Sequence, residues 1–355
     1  MSVDASVSPR GANFFIRHAR LTLVLVNLFL LLLLLIAGEI VARAWTGYEI
    51  GYYTEAKVGR DGFIRYPWGV VPVNSSGYLD EEFDLGTSKK RAGWFGDSVA
   101  MGVGAGYPYR ISDIVRKQRT AVANWNFSQI GTGFDGPRVE EEAKRFKLDY
   151  VVYLLNLNDI VPPAPPSSGT NYVVYEGLGF VKNYLDYFRS RSYLYNYVRT
   201  SIKNMMQRWG FEASGYYAYE LWPRRSGDVF KRFAAEVNAT ARSLREKDIR
   251  MCIVILPYEM QISDDAARTY AGLGFKWEEG FLAGSAQREL RRYLDKGIPV
   301  YDGLDAFPDK SANVGYNFVY NAGDKIDWNH PNRNGHAALA KGFIDSGSCP
   351  SLEGK

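Results

Sequence analysis

The chain has 355 residues, with 43 Lys and Arg against 39 Asp and Glu, only three His and only two Cys. So few soft ligands can barely form a zinc site of the usual Cys/His type, and two cysteines exclude a disulfide framework. Beyond residue 20 the charges nearly balance, so no basic stripe indicates a nucleic-acid partner. We therefore expect no metal, no cofactor and no nucleic acid. The length accommodates one large or two small domains.

An uncharged apolar run begins near the N-terminus, from Leu21 to Gly38, and its apolar character continues past Glu39 to Ala42. About 20 apolar helical residues cross a bilayer core, so the run predicts a transmembrane anchor over 21–42. Basic residues precede it, which predicts that residues 1–20 stay in the cytoplasm and that the rest lies outside it. The expected location is therefore the inner membrane, single-pass, with a periplasmic domain. A cleaved signal peptide is the alternative, because residues 42–44 resemble a small-x-small cleavage site.

Residues 46–90 are predicted to be an irregular lead-in with scattered glycines, and alternating strands and helices follow it over 91–347. The predicted strands are 92–95, 121–127, 149–157, 250–256 and 298–301. The predicted helices are 107–119, 136–147, 228–247 and 284–296. Strands that are apolar on both faces and are separated by helices indicate a parallel sheet covered on each side. The fold class is thus α/β, a three-layer αβα sandwich.

An interval from 160 to 227 interrupts this alternation. It begins with a proline cluster and then becomes dense in Tyr, Phe and Trp. We interpret it as an insertion over the C-terminal edge of the sheet. Its aromatic rings either pack a cap or form a platform for sugar faces or acyl chains beside the site, and the sequence leaves both readings open.

Polar blocks follow the predicted strands, where ligands bind in open α/β sheets. The blocks are Gly96-Asp97-Ser98 after the first strand, Asn126 and Gly131 after the second, Asn156, Asn158 and Asp159 after the third, and Asp327-Trp328-Asn329-His330 near the C-terminus. A serine hydroxyl needs an adjacent base to become a nucleophile. His330 is the sensible candidate for that base, and Asp327 can fix its tautomer. His336 is expected to be structural, packed or hydrogen-bonded in the helix after the motif.

These blocks, in this order, resemble the SGNH hydrolases, the GDSL-type esterase and acylhydrolase family. The resemblance implies a flavodoxin-like parallel sheet, with Ser98, Asp327 and His330 as the catalytic triad. It also implies an oxyanion hole formed by the N–H groups of Ser98 and Gly131 and the side-chain amide of Asn158. The chain departs from the family at Asn156, where glycine is usual. Gly133 is the alternative to Gly131.

The resemblance implies a membrane-anchored serine esterase or O-acetyltransferase that acts on O-acyl groups, above all O-acetyl groups, of an envelope or exported glycan. The implied partners are an acylated glycan, the membrane, and a membrane-bound O-acyltransferase or polysaccharide export machinery. Two alternatives stay open. One is a non-catalytic glycan-binding scaffold that retains the fold. The other is a lipase acting on membrane lipids, although the sequence shows no second strongly apolar amphipathic helix.

Overall fold

The computed structural model describes residues 18–46, 62–66, 69–128, 133–160, 188, 191–208, 227–273, 275, 277–319 and 327–349. Most of the aromatic interval 160–227, and with it the choice between a cap and a platform, lies outside the described residues.

The first element is one long helix, α1, Ala19–Thr46, whose 28 residues would extend about 42 Å at 1.5 Å per residue. The segment Ala19–Ala44 is long and apolar enough to cross a membrane. Its apolar side chains from Leu21 to Ile36 are largely exposed in the protein. Exposed apolar surfaces of this extent are typical of segments that contact a membrane or another protein.

Seven strands follow α1 in the described part of the chain. They are β1 Phe63–Tyr66, β2 Gly69–Pro72, β3 Lys90–Gly96, β4 Val122–Asn126, β5 Tyr150–Leu155, β6 Arg250–Ile255 and β7 Val300–Asp302. Strands β3 to β7 form a parallel sheet in the order β4-β3-β5-β6-β7. Numbered within the sheet, this order is 2-1-3-4-5, the flavodoxin-like order. The prediction of an α/β fold with a parallel sheet is confirmed.

The remaining helices lie between and after the strands. They are α2 Ser98–Met101, α3 Ile111–Gln118, α4 Gly136–Arg145, α5 Tyr193–Arg208, α6 Gly227–Arg245, α7 Glu259–Ile262, α8 Asp264–Gly272, α9 Ser285–Tyr293 and α10 Arg333–Ser346. Single 3₁₀ turns occur at Leu157–Asp159, Phe281–Ala283 and Gly303–Ala306.

Two apolar clusters cover the two faces of the sheet. In β5, Val151 and Tyr153 belong to the cluster that includes α4, α6 and α9. Their neighbours Val152 and Leu154 belong to the cluster that includes α3 and α10. Successive strand residues point to opposite faces, so a strand that is buried throughout supports a helical layer on each side. The three-layer arrangement follows from this alternation.

The lead-in contains regular structure that the sequence analysis did not anticipate. Strands β1 and β2 pair antiparallel, with Phe63 opposite Pro72. The two valines of β2 give too short an apolar pattern to be recognised as a strand before its partner is known.

The two cysteines form a single disulfide, which the sequence analysis did not anticipate. Cys252 in β6 and Cys349 beyond α10 are bonded, with Cα atoms 6.0 Å apart, across a sequence separation of 97. A framework of several bridges is still excluded by the cysteine count, but a single bridge is present. Their bonding could not be predicted from the sequence, because the two cysteines come together only when α10 packs on the sheet.

Candidate active site

Ser98 lies where β3 meets α2, at the carboxyl edge of the sheet. The chain turns at Gly96, which has φ +146; a Cβ there would lie 2.6 Å from the carbonyl oxygen of Leu154. Asp97 then caps α2, because its carboxylate accepts a hydrogen bond of 2.8 Å from the N–H of Val99. The half-buried Ser98 is thus the first helical residue, and its hydroxyl is held at the end of a rigid turn.

The structure brings Ser98, His330 and Asp327 into one hydrogen-bonded chain. Ser98 Oγ lies 2.8 Å from His330 Nε2, and His330 Nδ1 lies 2.7 Å from Asp327 Oδ2. The other carboxylate oxygen of Asp327 accepts from the backbone N–H of His330 at 3.1 Å. Asp327 and His330 are buried, whereas Ser98 is partly accessible. This geometry allows His330 to accept the serine proton while Asp327 orients the ring.

The segment that carries Asp327 and His330 is fixed from three sides. The hydroxyl of Tyr270 donates to the carbonyl of Asp327 at 2.9 Å. The N–H of Glu259 donates to the carbonyl of Trp328 at 2.9 Å, and the N–H of Val319 donates to that of His330 at 2.9 Å. The backbone on both sides of the histidine is therefore anchored to separate elements.

Two buried carboxyl groups lie beside the serine turn. Burial raises the pKa of Asp97, although the nearby His330 and hydrogen bonds from Val99, Asn156 and Asn158 oppose the rise. Burial also raises the pKa of Asp159 well above its usual range, and the neighbouring charge of Asp97 adds to the rise. Two carboxyls in one dry region do not both ionise readily. The negative charge near Ser98 is accordingly smaller than two ionised carboxylates would give.

Asn156, the departure from the family pattern, has an identifiable contact. Its amide donates to the carboxylate of Asp97 at 3.2 Å. Its backbone is in the extended region, with φ −87, so the position does not require glycine. The side chain at this position therefore braces the aspartate that precedes Ser98.

The structure describes two of the three predicted oxyanion donors, Ser98 and Asn158. Asn158 is buried in the 3₁₀ turn that follows β5. Gly131 lies outside the described residues. The alternative, Gly133, donates its N–H to Asp159 Oδ1 at 3.0 Å. The N–H of Ser98 comes first in a helix and has no acceptor within it.

His336 lies in α10 and is fully buried. Burial lowers its pKa to about 3, and the nearby Arg110 and His330 add to the effect. Neither ring nitrogen has a hydrogen-bond partner among the residues that the structure describes. The ring is thus packed as a neutral group, as the structural reading expected, but without the hydrogen bond.

Glu259 and Tyr270 support the site, and the sequence analysis missed both. Glu259 is buried, and burial raises its pKa to about 7. Its carboxyl contacts the hydroxyl of Tyr270 and the N–H of Gly315. No local motif marks these residues, because they reach Asp327 only through folding. Among the residues that the structure describes, no three His, Cys, Asp or Glu side chains group as metal ligands.

No family model matches the sequence, and no curated protein matches it. Solved structures similar to the chain include a lipolytic protein of the G-D-S-L family from Desulfitobacterium hafniense, at 10% identity and a TM-score of 0.37, over 72% of this chain and 99% of that one. A catalytic mutant of an acetylxylan esterase from Geobacillus stearothermophilus matches at 13% identity and a TM-score of 0.35, over 72% and 93%. A carbohydrate acetylesterase from Sinorhizobium meliloti matches at 13% identity and a TM-score of 0.35, over 73% and 98%. These structural neighbours are esterases and acylhydrolases of the SGNH/GDSL type.

Proposed function

We propose that the chain is a serine esterase or acyltransferase in which Ser98 is the nucleophile, His330 the general base and Asp327 the residue that orients it. The proposal rests on the continuous hydrogen-bonded chain from the serine hydroxyl through the histidine, at 2.8 Å, to the aspartate, at 2.7 Å. A buried base beside an accessible serine is the arrangement that nucleophilic catalysis requires.

The chemistry proceeds in two steps. Ser98 Oγ attacks the ester carbonyl carbon while His330 Nε2 takes its proton, and Asp327 stabilises the resulting imidazolium. The bond to the leaving alcohol breaks as His330 returns that proton, which leaves an acyl group on Ser98. Water or a sugar hydroxyl then attacks the acyl carbon while His330 takes its proton, and the bond from the acyl carbon to Ser98 Oγ breaks as His330 returns that proton to the serine. Hydrolysis and transfer differ only in this acceptor.

We propose that the N–H groups of Ser98 and Gly131 and the amide of Asn158 stabilise the oxyanion. The burial of Asn158 supports its part, because a donor in a dry site stabilises charge more than one in water. Gly131 is preferred to Gly133, whose N–H is already engaged by Asp159.

The substrate we propose is an O-acyl group, above all O-acetyl, on an envelope or exported glycan. This choice rests on the resemblance of the motif blocks to anchored SGNH proteins. A membrane-bound O-acyltransferase or the polysaccharide export machinery would be the protein partner on the same ground.

We further propose that α1 is an uncleaved anchor and that the domain over 91–347 faces the periplasm. The exposed apolar surface of α1 supports the anchor. The disulfide between Cys252 and Cys349 supports an oxidising compartment, since such bonds are rare in the cytosol.

The decisive experiment compares turnover of p-nitrophenyl acetate by the wild type, Ser98→Ala and the control Ser76→Ala, which alters an exposed serine in the lead-in. We expect Ser98→Ala to lose at least about 10³-fold in kcat/KM, because the nucleophile is removed, and Ser76→Ala to keep full activity. A fluorophosphonate probe should label the wild type and not Ser98→Ala. Unchanged turnover in Ser98→Ala would refute the assignment, and absence of labelling in the wild type would favour a non-catalytic scaffold. Adding a glycan acceptor separates transfer from hydrolysis.

A further inference from the structure

Helix α5 is joined to α1 through one carboxylate. Glu39, in the last third of α1, accepts hydrogen bonds from the N–H groups of Tyr193 and Leu194 at 3.0 Å each, and from the hydroxyl of Ser192 at 2.8 Å. Arg43 completes the set with an ion pair of 2.9 Å. A carboxylate that receives the first N–H groups of a helix caps it. Glu39 therefore fixes the start of α5 to a defined turn of α1.

The position of this joint follows from the length of α1. About 20 helical residues span the hydrocarbon core, so a span that begins at Leu21 ends near Ile40. Glu39 and Arg43 then lie at the outer boundary of the membrane. A carboxylate at that depth needs partners, and α5 supplies them. The contact of Leu194 with Gly38, where a Cβ would lie 3.0 Å from Leu194 Cδ2, keeps the two helices close at the same level.

Helix α5 presents an apolar stripe of its own. Leu194, Val198, Ile202 and Met205 recur at spacings of four and three residues, which places them on one helix face. Val198, Ile202 and Met205 are exposed, at 45%, 48% and 40%. The sequence analysis found no second strongly apolar amphipathic helix; α5 is polar on average, and its apolar residues form this stripe.

A groove of about 1100 Å³ lies between the two helices. Its walls are apolar side chains of both helices, and its rim carries three arginines. The apolar lining includes Leu35, Ile36, Ile40, Val198 and Ile202, and the rim arginines are Arg43, Arg191 and Arg199. The one acid among its lining residues, Glu39, is engaged by the start of α5 and by Arg43. Among the described residues, the groove is thus lined by three arginines, of which Arg43 is paired with Glu39, beside apolar side chains of both helices.

We propose that this groove binds an anionic phospholipid of the outer leaflet, with an acyl chain along Ile36 and Ile202 and the phosphate at the rim arginines, and that α5 lies at the membrane surface. This inference rests on the proposed anchor. The occupant follows from charge and depth: the apolar lining is level with hydrocarbon and the rim arginines with headgroups, where each basic residue attracts anionic lipid. The consequence is that the hydrolase domain is held at the membrane by α5 as well as by α1.

The first test measures what surrounds α5. Because both native cysteines are disulfide-bonded, a single introduced cysteine is the only free thiol for a spin label. Ile202→Cys, Leu31→Cys in mid-α1 and the exposed Leu85→Cys in the lead-in are labelled in the full chain, in nanodiscs containing phosphatidylglycerol and phosphatidylcholine. We expect oxygen to relax the labels at 202 and 31 more than a water-soluble nickel chelate does, and the reverse at 85.

The outcomes separate the two proposals. A water-exposed label at 202 with a lipid-exposed label at 31 overturns the interfacial position of α5 and leaves the anchor intact. A label at 202 that neither reagent reaches indicates a protein partner on the groove and also overturns the proposal. A water-exposed label at 31 refutes the anchor itself.

The second test measures lipid selection by native mass spectrometry of the chain released from the same nanodiscs. We expect retained phosphatidylglycerol to exceed phosphatidylcholine, and Arg199→Glu to lower that ratio by at least about fivefold. Arg268→Glu, at an exposed arginine of α8, is the matched control and should leave the ratio unchanged. Equal retention of both lipids by the wild type, or no effect of Arg199→Glu, would overturn the proposal. The measurement needs no turnover, so it gives the same answer in a Ser98→Ala background.

Discussion

At the scale of single residues, the support of Asp327 comes from a buried acid that the sequence does not reveal. The hydroxyl of Tyr270 contacts both the carboxyl of Glu259 and the carbonyl of Asp327. A tyrosine has one proton to donate, so it cannot satisfy an ionised carboxylate and a carbonyl together. A protonated Glu259 resolves the conflict, because it donates to Tyr270, which then donates to Asp327. The pKa of Glu259, raised to about 7 by burial, agrees with this arrangement.

A pH-dependent stability follows from Glu259. Its folded pKa lies above that of the unfolded chain, so the folded state holds the proton more tightly between about pH 4.5 and 7. The proton on Glu259 therefore adds to the free energy of unfolding, by a total on the order of 3 kcal/mol. This stabilisation is fully present below that pH range, falls as the pH rises through it, and is absent above it. Glutamine mimics the protonated acid. In thermal unfolding, we therefore expect the stability of Glu259→Gln not to show the decrease that the wild type shows between pH 5 and 8.

The matched control for this prediction is Glu141→Gln, which changes an exposed glutamate of α4. It should follow the wild-type pH curve. A Glu259→Gln variant whose unfolding curve parallels that of the wild type at every pH would show that Glu259 does not titrate in this range.

At the scale of elements, the junction between β3 and α2 decides where the nucleophile lies. The turn at Gly96, the N-cap at Asp97 and the hydrogen bond from Asn156 to Asp97 together fix the backbone that leads into Ser98. The block Gly96-Asp97-Ser98 occurs where the strand must turn sharply, within two residues, into a helix. The motif was therefore readable in the sequence, whereas the part of Asn156 was not, since it comes from the neighbouring strand.

Gly96→Ala tests the junction. The new Cβ would lie 2.6 Å from the carbonyl oxygen of Leu154 and 2.8 Å from Cβ of Ala100, at a φ that side chains avoid. We expect a loss of about 1–3 kcal/mol in urea unfolding, and lower turnover of p-nitrophenyl acetate because Ser98 is displaced. Gly272→Ala is the control, since nothing lies within 4 Å of its Cβ position and it ends α8. Equal stability of the two variants would show that the turn tolerates a side chain.

At the scale of the whole molecule, the disulfide connects β6, an inner strand of the sheet, to the segment that follows helix α10. Cys252 is in β6, and Cys349 follows α10, the helix that begins just after His330. The closed loop therefore includes Asp327 and His330. Both cysteines are buried, so the bridge is part of the apolar cluster beneath α10.

We expect the double variant Cys252→Ala/Cys349→Ala to lose about 2–5 kcal/mol in urea unfolding, because the unfolded chain regains the freedom that a loop of 97 residues removes. Reduced wild type should behave like the variant, and reductant should not change the variant further. If reductant leaves the wild type unaffected while the variant is as stable as the oxidised protein, the bridge contributes nothing to folding.

The sequence by itself determined the strands and the order of the motif blocks. Each of the five strands of the parallel sheet lies within about two residues of its predicted range, because strands buried on both faces are apolar runs that stop at turn residues. Ser98 was recognisable because it directly follows a strand, and Asp327 and His330 were recognisable from their Asp-x-x-His pattern near the C-terminus. The long apolar helix α1 could also be predicted, because a run of that length and composition favours one continuous helix.

Only the tertiary structure decided the contacts between distant segments. The hydrogen-bonded chain that joins Ser98 to His330 spans 232 residues, and the disulfide spans 97. The local sequence also gives no sign of three further features: the hydrogen bonds between Glu39 and the start of α5, the buried carboxyl of Glu259, and the pairing of β1 with β2. Local composition controls which element a segment forms, but these contacts depend on which elements the folded sheet and helices bring together.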